Sequence, residues 1–243
     1  MGTCAHCGYE SAGTGTCPLC GGAMSIADAS PATDAAAPGA TPAWEDPAVP
    51  FPRNFLDTWV ESLARPSDFF RGVPWERAAA RPILYFLLIA ILAAFFTLWW
   101  EAVFSGTAQW PLLPELGIAP ARGGAAAVLR FFFAPFAALV WLAVSSALIH
   151  VFAMLLSRDR RGFRATLRVV CYASGPGVLG IVPFAGSFAG GVWSLVLIAI
   201  GLREAHRMTG GAAAVAVILA VATPVLLFLG VAFMAIFAGL VSR

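Results

Sequence analysis

The sequence predicts an all-α polytopic membrane protein with five transmembrane helices and a small N-terminal four-cysteine zinc ribbon. Hydrophobic residues make up 60% of the 243 residues and charged residues only 12%, a balance that soluble globular chains do not normally have. Long apolar stretches follow an N-terminal segment that carries two Cys-x-x-Cys pairs. The formal net charge of +2 does not favour nucleic acid as a partner, because a phosphate-binding surface needs clustered cations.

The cysteines of the first segment, residues 1–24, have the spacing of a structural zinc site. They are Cys4, Cys7, Cys17 and Cys20. A glycine follows each pair and relieves the tight turn that lets both thiolates face one metal ion. A redox dithiol would need a thioredoxin-like unit, and two disulfides would need an oxidising compartment. We therefore predict one structural Zn²⁺, whose closed site leaves the ribbon a role in protein interaction rather than catalysis.

Two segments connect the ribbon to the membrane. Residues 25–52 are predicted to be a disordered linker, because small and polar residues there cannot bury enough surface to offset the entropy of ordering. Residues 53–81 are predicted to be an interfacial amphipathic helix, because apolar residues recur there at helical spacing: Phe55, Leu56, Trp59, Val60 and Leu63. This helix would lie among the lipid headgroups and present the first span.

Residues 82–243 are predicted to form the membrane domain, because their apolar stretches can cross about 30 Å of hydrocarbon as helices. The predicted spans are 83–103, 127–156, 165–183, 188–203 and 212–240. The third and fourth form a hairpin in which Gly186 and Gly190 have the spacing of closely packed helices. Pro176 and Gly177 break the third span, which favours local packing or, less strongly, a cavity lined by freed carbonyls.

The arginines predict the orientation. With the N-terminus in the cytosol, twelve of the 15 basic residues lie on cytosolic segments, as the positive-inside rule requires. The other three are Arg122, Arg130 and Arg243. This orientation places the C-terminus outside and the cysteines in a reducing compartment, where a zinc thiolate site survives. Six residues would cluster on the cytosolic face of the hairpin: Arg164, Arg168, Arg203, Glu204, His206 and Arg207. This cluster is favoured as a plain positive-inside flank, and the alternative is a site for anionic lipid or a protein partner.

Three stretches carry a resemblance to a known family. They are RPSDFFRG before the first span, GFRATLRVVCYASGPGVLGIVP in the third and GGVWSLVLIAIGLREAH in the fourth. The arrangement resembles the Yip family of five-span Ypt/Rab-interacting membrane proteins in its bacterial form, over about residues 55–240. The resemblance implies an all-helical domain with a cytosolic N-terminus in a bacterial inner membrane. Eukaryotic members bind Rab GTPases, but the zinc ribbon on this N-terminal tail leaves the partner open.

We expect no catalysis. Ser146 and His150 are four apart on one face of the second span, but no Gly-x-Ser-Gly turn accompanies them. We therefore expect His150 either to hydrogen-bond a neighbouring helix or to lie near the cytosolic headgroups. The sequence thus favours a non-enzymatic membrane organiser or adaptor whose ribbon binds an unknown cytosolic protein, with homo-oligomers possible. The alternative is a passive transporter or channel for a small solute or lipid, with its path along the broken third span.

Overall fold

The computed structural model describes residues 2–4, 10–11, 24–26, 39–104, 124–157 and 161–241. The chain divides into two compact units, 1–37 and 38–243. In the first unit, three antiparallel strands form a small sheet with β1 at its centre. The strands are β1 (Gly2–Cys4), β2 (Glu10–Ser11) and β3 (Met24–Ile26). Gly2 of β1 pairs with Ser11 on one side and with Ile26 on the other.

In the second unit, the regular elements among the described residues are all helices. Its α-helices are α1 (Arg53–Ala64), α2 (Pro66–Gly72), α3 (Ala80–Phe104), α4 (Gly124–Leu156), α5 (Phe163–Tyr172), α6 (Ala185–His206) and α7 (Gly210–Val241). Two 3-10 helices, Ala43–Glu45 and Gly175–Ile181, complete the order. Among the residues that the structure describes, four segments are long and apolar enough to cross a membrane: Ala80–Phe104, Gly124–Leu156, Ala185–His206 and Gly210–Met234. Four of the five predicted spans are therefore confirmed by length and composition.

The third predicted span, 165–183, is not one continuous helix. Helix α5 ends at Tyr172, and the chain continues as the 3-10 helix Gly175–Ile181. The reason is Pro176, which has no N–H to donate to the carbonyl four residues earlier and whose ring clashes with that carbonyl. The prediction of five transmembrane helices is therefore not confirmed for this segment, which is shorter and broken.

Two tryptophans satisfy carbonyls that the break leaves free. Trp59 Nε1 donates to the Gly175 carbonyl at 2.9 Å, and Trp100 Nε1 donates to the Gly180 carbonyl at 3.1 Å. A Cβ added to Gly175 would lie 3.1 Å from the hydroxyl of Tyr85, near the start of α3, whereas Trp100 lies near the end of α3. The broken segment therefore runs alongside α3 and in the same direction.

Helix α6 packs against the 3-10 segment through glycines. A Cβ at Gly190 would lie 2.6 Å from the Pro176 carbonyl oxygen, and a Cβ at Gly186 would overlap the Leu179 carbonyl. Only glycine permits backbones to approach this closely. The glycine spacing thus serves close packing at the hairpin, as predicted.

The helix ends gather the arginines on one side. Ser157 Oγ, just after α4, donates to the His206 carbonyl at 3.0 Å, and Arg203 near the end of α6 donates to Ser67 Oγ of α2 at 3.4 Å. Here α3, α5 and α7 begin and α4 and α6 end. We call this the arginine-rich end, and its described arginines are Arg53, Arg65, Arg71, Arg77, Arg81, Arg161, Arg164, Arg203 and Arg207. Arg130 lies at the opposite end of the bundle, where it pairs with Glu101 at 2.8 Å.

The structure corrects the linker prediction for its last part. Residues 39–52 were included in the disordered segment 25–52, but Trp44 and Glu45 are buried, at 6% and 5% exposure. Composition missed this packing because both residues find their partners in distant helices rather than within the segment. Residues 27–38 lie outside the described residues.

The predicted interfacial helix, 53–81, is two helices, α1 and α2, followed by a turn and the start of α3. Helix α1 turns the polar Thr58 and Ser62 inward and leaves Leu56 and Val60 about half exposed, at 50% and 53%. Only part of the predicted apolar face is therefore buried. At the inward positions, Thr58 accepts a hydrogen bond from the Trp44 N–H and Ser62 donates to the Trp59 carbonyl.

Candidate functional site

The predicted zinc ligands lie almost entirely outside the described residues. Cys4 is the last residue of β1, where its backbone pairs with Met24, while Cys7, Cys17 and Cys20 are outside the described ranges. Within those ranges, no group of three or more His, Cys, Asp or Glu could hold a metal ion. Four thiolates in this pattern fit Zn²⁺ by their chemistry. The zinc site stays a prediction.

A buried ion pair fastens the N-terminal segment to α5. Arg168 donates through a terminal guanidinium nitrogen to Glu45 Oε1 at 2.6 Å, and the two side chains are 0% and 3% exposed. The Tyr172 hydroxyl donates to the same carboxylate oxygen at 2.6 Å. The other terminal nitrogen of Arg168 donates to the Ala78 carbonyl at 3.1 Å. We call Glu45, Arg168 and Tyr172 the Arg168 cluster.

The sequence of α5 explains why two members of this cluster meet. Arg168 and Tyr172 are four residues apart, so they lie on one face of the helix. Aromatic rings wall this face: the ring of Tyr172 lies 5.5 Å from Tyr85 and 5.2 Å from Phe69. These rings keep water from the ion pair, which strengthens its attraction but also raises the cost of leaving either charge alone.

Trp44, next to Glu45, is held through its backbone and its side chain. Its N–H donates to Thr58 Oγ1 at 2.9 Å, and its indole N–H donates to the Arg81 carbonyl at 2.6 Å. The Arg81 guanidinium donates back to the Trp44 carbonyl at 2.8 Å. Residues 43–45 are therefore bound by α1, by the start of α3 and by α5.

A second polar cluster joins three helices at the arginine-rich end. Thr166 Oγ1 lies 2.8 Å from His150 Nδ1 and 2.9 Å from His206 Nε2, so one hydroxyl links α4, α5 and α6. This confirms that His150 hydrogen-bonds a neighbouring helix. Ser146 Oγ is buried with no hydrogen-bond partner among the residues that the structure describes. The described contacts thus give His150 a structural partner, not a serine nucleophile.

The predicted charged flank is corrected at two positions. Arg168 and His206 were placed on the cytosolic surface with the other members of the flank, but both are fully buried. Arg203 does lie at the partly exposed edge, where it pairs with Glu204 at 2.6 Å. The positive-inside rule assigns arginines to a side of the membrane from their positions in the sequence. It therefore does not detect that Arg168 pairs with a residue 123 positions away. The only signal for this contact was a Trp-Glu dipeptide in a segment of mostly small residues.

Four apolar helices, a broken fifth segment and buried polar clusters define a polytopic helical membrane protein. The chain matches the family model described as Yip1 domain over residues 60–238 and belongs to that family. The resemblance seen in the sequence is thereby confirmed. No curated protein and no solved structure matches the chain. Arg168 and Tyr172 lie within the matched domain, whereas Glu45 precedes it.

Proposed function

We propose that this Yip1-domain protein is a non-enzymatic membrane organiser or adaptor whose cytosolic zinc ribbon binds another protein. The observation that carries the proposal is the Glu45–Arg168 ion pair, which fixes the chain to the membrane domain shortly before α1. A ribbon on the same chain that binds a cytosolic protein would connect that protein to the membrane domain. Such an arrangement suits a protein that brings a cytosolic partner to a bilayer.

The topology that this proposal needs is five crossings. The broken segment contributes ten α-helical and seven 3-10 residues, which at about 1.5 and 2.0 Å per residue extend over roughly 29 Å. That length is close to the roughly 30 Å of a bilayer core. Contacts from Gly175 to Gly180 along α3 support a crossing beside that helix. Five crossings with the arginine-rich end in the cytosol would put the N-terminus inside and the C-terminus outside a bacterial inner membrane.

The ribbon is proposed from its donor set. Cys4, Cys7, Cys17 and Cys20 would hold one structural Zn²⁺, and metal binding on the order of 10 kcal/mol would supply the folding energy that so small a unit lacks. The three-stranded sheet supports a ribbon, because its strands flank the segments that carry the cysteines. The proposed partner is a cytosolic protein rather than nucleic acid, and the membrane domain could also form homo-oligomers.

The test is a crosslinked pull-down from native membranes with the intact chain and a Cys4→Ser/Cys7→Ser variant. Loss of a specific set of cytosolic proteins from the variant would support the adaptor function and name its partners. A Cys171→Ser variant is the matched control, because this buried thiol of α5 lies outside the ribbon. Identical captures by the intact chain and the ribbon variant would contradict the proposal.

The transporter or channel alternative stays a prediction. The break on which it depends is filled by neighbours, since a Cβ at Gly177 would lie 3.1 Å from Ile89 Cγ2. A Gly177 substitution would therefore disturb packing as well as any path. The direct measurement is solute or lipid flux through the unmodified protein in liposomes, and saturable flux would favour the alternative.

A further inference from the structure

The Arg168 cluster joins a pocket of the Yip1 domain to residues that lie outside the domain. Arg168, Tyr172 and Arg81 fall within the matched residues 60–238, whereas Trp44 and Glu45 precede them. A carboxylate from the N-terminal extension therefore fills a cationic pocket that belongs to the family domain. Both sides of this contact lie in the compact unit 38–243, and it is the start of the family match that divides them.

The contacts to Trp44 and Glu45 are those of peptide recognition. The N–H and the carbonyl of Trp44 are both bound, by Thr58 at 2.9 Å and by Arg81 at 2.8 Å. The indole N–H has its own acceptor, and the next side chain forms the ion pair with Arg168. Backbone hydrogen bonds give affinity for any peptide, and side-chain pockets select its sequence. Here the selected sequence is tryptophan followed by glutamate.

The buried charge of Arg168 determines which groups can replace Glu45 in the pocket. Arg168 is fully buried, and an unpaired charge there is strongly unfavourable. Glu45 can leave only if another anionic group enters or if water reaches the guanidinium. A peptide carboxylate fits better than a lipid phosphate, because three of the hydrogen bonds around Trp44 need a peptide backbone or an indole.

We propose that the pocket around Arg168 is a binding site for a Trp-Glu peptide, which residues 43–45 occupy in cis. A partner protein with an aromatic residue followed by a glutamate binds there when the N-terminal segment is released. The cis segment competes at a high effective concentration, in the millimolar range for a short connection, so it holds the site closed to weak ligands. This site does not depend on the zinc ribbon, and the two proposals can fail separately.

The first test uses the full chain in nanodiscs with the cis segment emptied by Trp44→Ala/Glu45→Ala. A fluorescent peptide with the sequence of residues 40–48, ATPAWEDPA, is the probe. We expect saturable binding to the variant at peptide concentrations too low to displace the cis segment of the unmodified chain. A matched peptide with Gln for Glu should bind at least about tenfold more weakly, a difference of about 1.4 kcal/mol. Adding Arg168→Gln should remove the preference for Glu. Equal binding of both peptides, or no binding to a folded variant, would overturn the proposal.

A second measurement uses the unmodified chain, so it tests the proposal even if the Trp44→Ala/Glu45→Ala variant does not fold. The unmodified chain is mixed with excess peptide, and hydrogen exchange is followed at the backbone amides of residues 43–45. Displacement of the cis segment should accelerate exchange there with the Glu peptide and not with the Gln peptide. No acceleration by the Glu peptide would refute exchange in trans. Acceleration by phosphatidylglycerol nanodiscs, and not by peptide, would instead assign the pocket to lipid phosphate.

Discussion

Replacing Glu45 by Gln should destabilise the membrane domain far more than any other single acid-to-amide change near the arginine-rich end. Gln keeps the size of Glu and can still accept the hydrogen bond from Tyr172, but it removes the negative charge that faces Arg168 at 2.6 Å. Both side chains are almost completely buried, so solvent cannot take over the role of the lost partner. The loss of stability on Glu45→Gln therefore measures the removal of the charge and not a change in packing.

The expected loss of unfolding free energy is about 3–5 kcal/mol, the range for leaving one member of a buried ion pair without its partner. For a domain of this size, each kcal/mol shifts Tm by about 2–4 °C, so Tm in detergent should fall by about 10 °C. Glu76→Gln is the matched control, because Glu76 is exposed and should change Tm by less than about 2 °C.

A double-mutant cycle completes the experiment. Arg168→Gln alone should also destabilise the protein, but Glu45→Gln together with Arg168→Gln should lose less than the sum of the two, because no unpaired charge then remains. Thermal unfolding followed by intrinsic fluorescence in detergent micelles measures all four forms. The reasoning is refuted if Glu45→Gln matches Glu76→Gln, or if the two single effects simply add.

Three further predictions concern packing, metal and topology. Gly186→Ala should lower stability by about 1–3 kcal/mol, because its methyl group would overlap the Leu179 carbonyl. Gly191→Ala, with open space around it, should be neutral or stabilising by up to about 1 kcal/mol, and equal unfolding curves would contradict the packing argument. Metal analysis should return one zinc per chain, and none after Cys4→Ser/Cys7→Ser; zinc retained at full occupancy by that variant would rule out these ligands. Fluorescent-protein and phosphatase fusions should report the N-terminus inside and the C-terminus outside, and both termini on one side would exclude five crossings.

The sequence predicted the parts of this fold that depend on local composition. Four spans were predicted from apolar stretches long enough to cross a bilayer. Such stretches suffice because a helix in hydrocarbon forms all its backbone hydrogen bonds within itself. The break after Tyr172 was visible as Pro176, and the close approach of α6 was visible as Gly186 and Gly190. His150 was expected to bond a neighbouring helix, and it does so through Thr166.

Contacts between distant residues were decided only by the tertiary structure. A composition argument assigned Glu45 to a disordered linker, and a charge-distribution argument assigned Arg168 to the surface, yet each is buried because of the other. Pairing across 123 residues leaves no periodic signal, since it depends on how α3, α5 and the N-terminal segment meet. The sequence by itself determined a helical membrane protein of the Yip1 family. Only the tertiary structure decided that its N-terminal segment is anchored by a buried charge pair. The physical reason is that a charge removed from water is tolerated only beside an opposite charge, and the fold determines which two charges meet.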